Sequence, residues 1–207
     1  MKLWKILAGV LLLAIGIFTF RACRTTNYTN FPPRATGDWV AFGDSLTSGF
    51  GASAENDYPT LLSQKIGRKI LNQGMPGETT DNAIRRVEEI VRLQPRVVLL
   101  CFGGNDGLQQ LPMDKTFANL STLIDRLQTS GSFVILIGVR SASIRDRYEK
   151  EFKKLAKEKR VLYVPNILSG VLGSPNLMSD YVHPNDEGYK AIAERLEKIL
   201  KPMLPNL

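Results

Sequence analysis

The chain has 207 residues, 43% hydrophobic and 23% charged, enough for one globular domain with a well-covered core and with no repeat or low-complexity tract. Its formal charge of +7 is concentrated at the start: Lys2, Lys5, Arg21 and Arg24 stand without an acid among the first 24 residues, so the remainder carries only about +3. That balance, with no basic–aromatic motif, argues against nucleic-acid binding, and two cysteines with a single histidine argue against a Cys/His zinc site or a disulfide framework.

The chain opens with MKLWKILAGVLLLAIGIFTFRAC, a basic start followed by an uncharged stretch over 6–20 that Arg21 closes. As a helix this stretch is about 22 Å long, against a hydrocarbon core of roughly 30 Å. Snorkelling Lys5 and Arg21, with Trp4 at the interface, make up part of the difference. The reading is an export segment, 1–24, retained as a membrane anchor that contacts the bilayer through 6–20 and keeps the protein periplasmic or otherwise extracytoplasmic. A cleaved signal peptide also fits the length. Cys23 raises lipid attachment as a further alternative, although Arg21 departs from the usual pattern before a lipidated cysteine. Residues 25–37, TTNYTNFPPRATG, read as a polar, proline-containing linker, and 38–207 as the folded domain.

Within that domain, apolar runs alternate with amphipathic stretches. Strands are expected over 39–42, 69–72, 97–102, 133–139 and 161–164, and helices over 58–66, 80–93, 117–129, 147–159 and 186–201. Strand–helix alternation implies a mostly parallel sheet covered by helices on both faces. VVLLCF and FVILIGV are apolar on both faces, as central parallel strands are, and Cys101 within the first of them reads as a core thiol. The basic stretch 145–160 keeps its apolar residues at helical spacing, so its charges read as a solvated face. In such sheets, sites form where strands end.

Four segments at or near those ends carry chemistry: GDSLTSGFG, NQGMPGETT, GGNDGLQQLP and SDYVHPNDEGY. A nucleophilic serine needs a base within hydrogen-bond reach and a group that orients the base. Ser45 follows the first strand. His183, the chain's one histidine, has Asp180 three residues before it, a spacing that lets a turn return the carboxylate to one ring nitrogen. A lone histidine before a helix commonly serves as a cap, but a serine at the end of the first strand favours the catalytic reading. Acyl transfer also needs donors for the oxyanion: the backbone N–H groups of Ser45 and Gly74 and the amide of Asn105 are the candidates. A phosphate-binding loop is absent, and Thr47 replaces the second glycine of G-x-S-x-G, against an α/β-hydrolase elbow.

GDSL, Gly74 in NQGMPGETT, GGND and DYVHPN resemble, in order, the four blocks of the SGNH (GDSL) hydrolases over roughly 38–201, with GGNDGLQQLP and HPNDEGYKAIAE similar to the thioesterase I/lysophospholipase/arylesterase branch. The resemblance implies a three-layer α/β, flavodoxin-like sandwich with a five-stranded, mostly parallel sheet. It implies hydrolysis of carboxylic esters or thioesters without a cofactor, with Ser45 as nucleophile, Asp180 and His183 completing the triad, and Gly74 and Asn105 as oxyanion donors. Leu108, Leu111, Met113, Val171, Leu172 and Leu177, in 107–116 and 168–178, are candidates for an apolar acyl channel or for loop packing. The expected partner is a small-molecule ester or a lipid. A carbohydrate O-deacetylase with a more open groove and a non-catalytic, membrane-tethered binding module are the alternatives.

Overall fold

The computed structural model describes residues 27–139 and 147–207. The expected export segment, with Cys23, lies outside the described residues, among which no helix is long and apolar enough to cross a membrane.

Among the described residues, five strands, β1 (Trp39–Gly43), β2 (Ile70–Gly74), β3 (Val97–Cys101), β4 (Phe133–Ile137) and β5 (Leu162–Val164), form one sheet in the order β2-β1-β3-β4-β5. Every neighbouring pair is parallel, with Gly43 opposite both Gly74 and Cys101. β1 therefore ends level with both neighbours, at the point where the strand order reverses and a crevice opens above the sheet.

Among the described residues, seven helices connect and cover the strands: α1 (Ser45–Ser48), α2 (Tyr58–Ile66), α3 (Thr80–Arg92), α4 (Gly104–Leu108), α5 (Met113–Thr129), α6 (Arg147–Lys159) and α7 (Asp186–Leu200). Alternate strand residues point to opposite faces, which gives two cores. Trp39, Ala41, Leu99, Ile135 and Ile137 pack with Tyr58 and Leu62 of α2 and Tyr189, Ile192 and Leu196 of α7. Val40, Phe42, Leu100, Val134 and Leu136 pack with Val87 and Ile90 of α3, Leu120 and Leu123 of α5 and Phe152 of α6. The sheet is therefore the middle of three layers.

The long helices have the ends their sequences imply. Asp57 caps α2 by accepting the Thr60 N–H at 2.9 Å, and Thr79 and Asn82 form a reciprocal box at the start of α3. Helix α5 begins at Met113, four residues before the expected start, because Pro112 can stand at its N-cap and Met113 packs on the second core. The short helices α1 and α4 were not expected: neither is long enough to show a period.

Residues 28–37 are a packed strap rather than a free linker. Tyr28 packs edge-on and Phe31 tilted against Phe133, with ring centroids 5.9 and 5.4 Å away. Asn30 Nδ2 donates to the carbonyls of Gln128 and Ser132, and the Arg34 and Ala35 N–H groups donate to Gly131 O. The strap crosses the edge where β4 begins, at the opposite end of the sheet from Ser45.

Candidate active site

Ser45 is placed by a sharp turn from β1 into α1. Asp44 caps α1, its Oδ1 accepting the Leu46 N–H at 3.0 Å. The turn requires Gly43, since a Cβ there would lie 2.0 Å from Thr47 Oγ1 and 2.7 Å from Cys101 O. As the first residue of α1, Ser45 has no intrahelical acceptor for its N–H.

Asp180 and His183 share one turn, closed by a bridge between Met178 and Pro184 and by the Ser179 N–H donating to His183 O at 2.9 Å. Asp180 Oδ1 accepts the N–H groups of Val182 and His183 at 2.7 and 2.8 Å, and its Oδ2 lies 2.7 Å from His183 Nδ1. Partial burial works to raise the Asp180 carboxyl, but the hydrogen bonds from the His183 ring and the two N–H groups outweigh it and hold it below its ordinary value. An ionised Asp180 accepts a hydrogen bond from Nδ1–H and so keeps the ring proton on Nδ1, which leaves Nε2 as an acceptor. Nε2 lies 3.0 Å from Ser45 Oγ, and the Phe50 ring packs on the imidazole with centroids 4.6 Å apart. The structure thus brings Ser45, His183 and Asp180 together in hydrogen-bonded sequence.

The second strand end differs from expectation. Gly74 is the last residue of β2, and its N–H donates to Asn72 Oδ1 at 2.9 Å, so it is not free for an oxyanion. A Cβ on Gly74 would lie 2.1 Å from Ser48 N, so this glycine serves close packing of β2 under α1. In the loop beyond, the N–H groups of Met75, Glu78 and Thr79 are also engaged, by Gly43 O, Met75 O and Asn82 Oδ1, and Pro76 has none. The N–H left without a partner among the described residues is that of Gly77, exposed and at φ +80°. Two glycines compete in NQGMPGETT, and the Pro-Gly step just before the helix cap was the signal for the second.

Asn105 opens out of β3 through Gly103 and sits beside Ser45. Its Nδ2 donates one hydrogen to Glu78 O at 2.8 Å, which ties it to the residue after Gly77 and leaves the other amide hydrogen available. The neighbouring Asp106 is buried and fastens α4 to α3: it accepts the Thr80 N–H at 3.0 Å and the Thr80 hydroxyl at 2.5 Å.

A cavity of about 410 Å³ adjoins Ser45, His183 and Asn105. Leu108 and Leu172 line it, as the acyl-channel reading required. Leu111, Met113, Val171 and Leu177 lie outside it. Val171 is turned into the first core, against which Leu177 also packs, and Met113 packs on the second. Their places are taken by Leu168, at the head of the expected 168–178 segment, and by Leu46, Val139, Tyr181 and Val182, which the sequence reading missed because they come from strand ends and turns assigned to other duties. Asp44 is the carboxyl that reaches this wall. Burial, and the nearby charges of Asp106 and Glu78, push it up to about 7 against the opposing Leu46 hydrogen bond.

Known proteins bear on this geometry. Residues 41–191 match the GDSL-like lipase/acylhydrolase family. The chain is 31% identical over 183 residues to the thioesterase 1/protease 1/lysophospholipase L1 of Escherichia coli K12, covering 84% of this chain and 88% of that protein. It is 30% identical over 173 residues to an arylesterase of Vibrio mimicus, covering 78% and 86%. The crystal structure of TesA superposes with a TM-score of 0.75 at 23% identity, covering 80% of this chain and 98% of that one, a likeness of fold. With more than half its length matched by the family and relatives at this identity, the chain belongs to the GDSL-like lipase/acylhydrolase family and is an SGNH-type esterase.

Proposed function

We propose that the protein hydrolyses acyl esters or thioesters with a lipid-like acyl group through a covalent acyl-enzyme. His183 Nε2 removes the Ser45 proton as Oγ attacks the carbonyl, and Asp180 stabilises the imidazolium that forms. The Ser45 N–H, the Gly77 N–H and the free hydrogen of the Asn105 amide receive the oxyanion. His183 then returns the proton to the leaving oxygen or sulfur, and a water activated by the same nitrogen releases the acid. The observation that carries the reading is the 3.0 Å contact of Ser45 Oγ with His183 Nε2 at the wall of the cavity.

The acyl preference is supported by that wall, to which four leucines and two valines contribute. Exposed apolar side chains also cluster at this end of the sheet: Phe50, Met75, Leu108 and Tyr181 all follow or flank the segments that carry the triad and oxyanion groups. A sugar-binding groove calls for polar partners that this wall does not offer in number.

Fluorophosphonate labelling of the wild type and Ser45→Ala, with a panel of p-nitrophenyl esters of rising acyl length, an acyl-CoA, a lysophospholipid and an acetylated oligosaccharide, tests the proposal. Labelling of the wild type alone, with kcat/KM rising beyond acetyl, is expected. Absence of labelling of folded wild type overturns the acyl-enzyme, and a preference for the acetylated sugar overturns the acyl class.

A further inference from the structure

One ion pair in this fold has no direct contact with the triad and yet joins three of the four segments that surround Ser45. Arg86, on α3, is buried, with its side chain only 9% exposed and that of Glu78 14%. Its Nε donates to both carboxylate oxygens of Glu78 at 2.9 and 2.8 Å, and Nη2 adds a third bond at 2.6 Å. Nη2 also donates to Gln73 O at 2.9 Å, in β2, and lies 3.5 Å from Gly43 O, the last carbonyl of β1. The guanidinium stacks on the Phe42 ring, 4.6 Å from its centroid. Glu78 in turn presents its backbone carbonyl to Asn105 Nδ2 at 2.8 Å.

The consequence is geometric. Gly77, whose N–H is the oxyanion donor, is followed directly by Glu78, whose side chain is locked to Arg86 and whose carbonyl holds Asn105. The same guanidinium touches the carbonyls that close β1 and β2. Three oxyanion donors on separate elements keep a fixed spacing only if those elements are tied together, and preorganised donors act because they need not move as charge develops. Arg suits this place and Lys does not, because a planar fork can meet a carboxylate and two carbonyls at once.

We infer that the Arg86–Glu78 pair is a positioning element for the oxyanion pocket, setting the Gly77 peptide and the Asn105 amide relative to Ser45. The inference rests on the acyl-transfer reading above. Arg86 meets no substrate. Its contribution is therefore to the transition state and not to ground-state binding, and its loss falls on kcat.

The test uses the full chain and a short p-nitrophenyl ester, with four variants: Arg86→Lys, Arg86→Met, the double variant Glu78→Leu/Arg86→Met, and Ser45→Ala. Arg86→Met strands a buried carboxylate and is expected to lose stability; the double variant removes both charges and regains most of it, since buried pairs are replaceable by apolar residues. The rate does not follow. In the double variant kcat stays about 10- to 100-fold below wild type while KM and Tm lie near wild-type values, and Arg86→Lys, which keeps the charge without the fork, loses kcat as well. A double variant whose kcat recovers with its Tm shows a structural pair only and overturns the inference, as does a loss carried by KM. Ser45→Ala separates the two levels: if it is inactive, such a result overturns the positioning role alone; if it retains turnover, the reaction on which that role rests is overturned too.

Discussion

Asp180 and His183 reach Ser45 from a single turn at the surface, whereas Asn105 and the Gly77 peptide reach it from a buried network that spans β1, β2, α3 and β3. On the first side, the Asp180 side chain is 43% exposed and the partners are three residues apart, so the geometry is written into one turn and its backbone N–H groups. On the second, Arg86, Glu78, Asp106 and Thr80 are wholly or largely buried and their partners lie in other elements. An exposed pair adds little to folding stability, while breaking a buried one leaves an uncompensated charge. The difference separates damage to chemistry from damage to the fold: the triad turn can lose its function with the domain intact, and a single charge removed from the oxyanion side cannot easily do so.

Asp180→Asn puts the largest strain on that contrast. The amide keeps the turn's size but cannot stabilise an imidazolium, and it favours the wrong imidazole tautomer. A fall in kcat of roughly 10³- to 10⁴-fold is expected, with Tm near wild type by calorimetry. If Tm fell along with the rate, the turn would be a structural element of the domain and the contrast would fail.

The two glycines of the second strand end give a smaller and sharper comparison. A Cβ on Gly77 meets open space, and its cost is the left-handed backbone at φ +80°, about 1–2 kcal/mol. Gly77→Ala is expected to lower Tm by a few degrees and kcat by about 10-fold or more as its peptide rotates. Gly74→Ala drives a Cβ against Ser48 N and forces the backbone apart, so the larger loss is expected in Tm. Denaturation curves and initial rates of both variants decide the matter. Full stability with a lost rate in Gly74→Ala would return the oxyanion role to Gly74.

How much of this was legible follows the same division. The parallel sheet was readable because VVLLCF and FVILIGV are apolar at every position, and the triad because the chain has one histidine with an acid three residues before it. Gly77 was passed over for Gly74 because the availability of an N–H depends on whether Asn72 turns its side chain back on the strand, which no spacing records. Arg86 reads in sequence as one more charge on the amphipathic α3; only the neighbouring ends of β1 and β2 show what it holds. Only two of the six acyl-wall candidates, Leu108 and Leu172, line the cavity, for a related reason. Apolar loop residues such as Val171 and Leu172 are adjacent in sequence, and the turn alone decides which faces the core and which the cavity.

The buried side also carries a pH dependence that the exposed turn does not share. Asp44 lies close enough to feel the charges of Asp106 and Glu78, and Arg86 is engaged by Glu78. Burial first, and then the charges of Asp106 and Glu78, raise Asp44 from 3.8 to about 7. Between those values the native protein holds a proton that the unfolded chain has released. Stability is therefore greatest at the acid end of this window and declines as pH rises through it, levelling once Asp44 is ionised in both states. Asp44→Asn keeps an oxygen for the Leu46 N–H and removes the titration. Its Tm is expected to match wild type at the acid end of the window, near pH 4, and to exceed it at pH 8 by about 5–10 °C, corresponding to about 2–4 kcal/mol. Thermal scans of both proteins at half-unit pH steps check this. Parallel curves would mean that Asp44 is ionised in the native state throughout, with Arg86 compensating more than one acid. The two sides of Ser45 would then differ in burial but not in their response to pH.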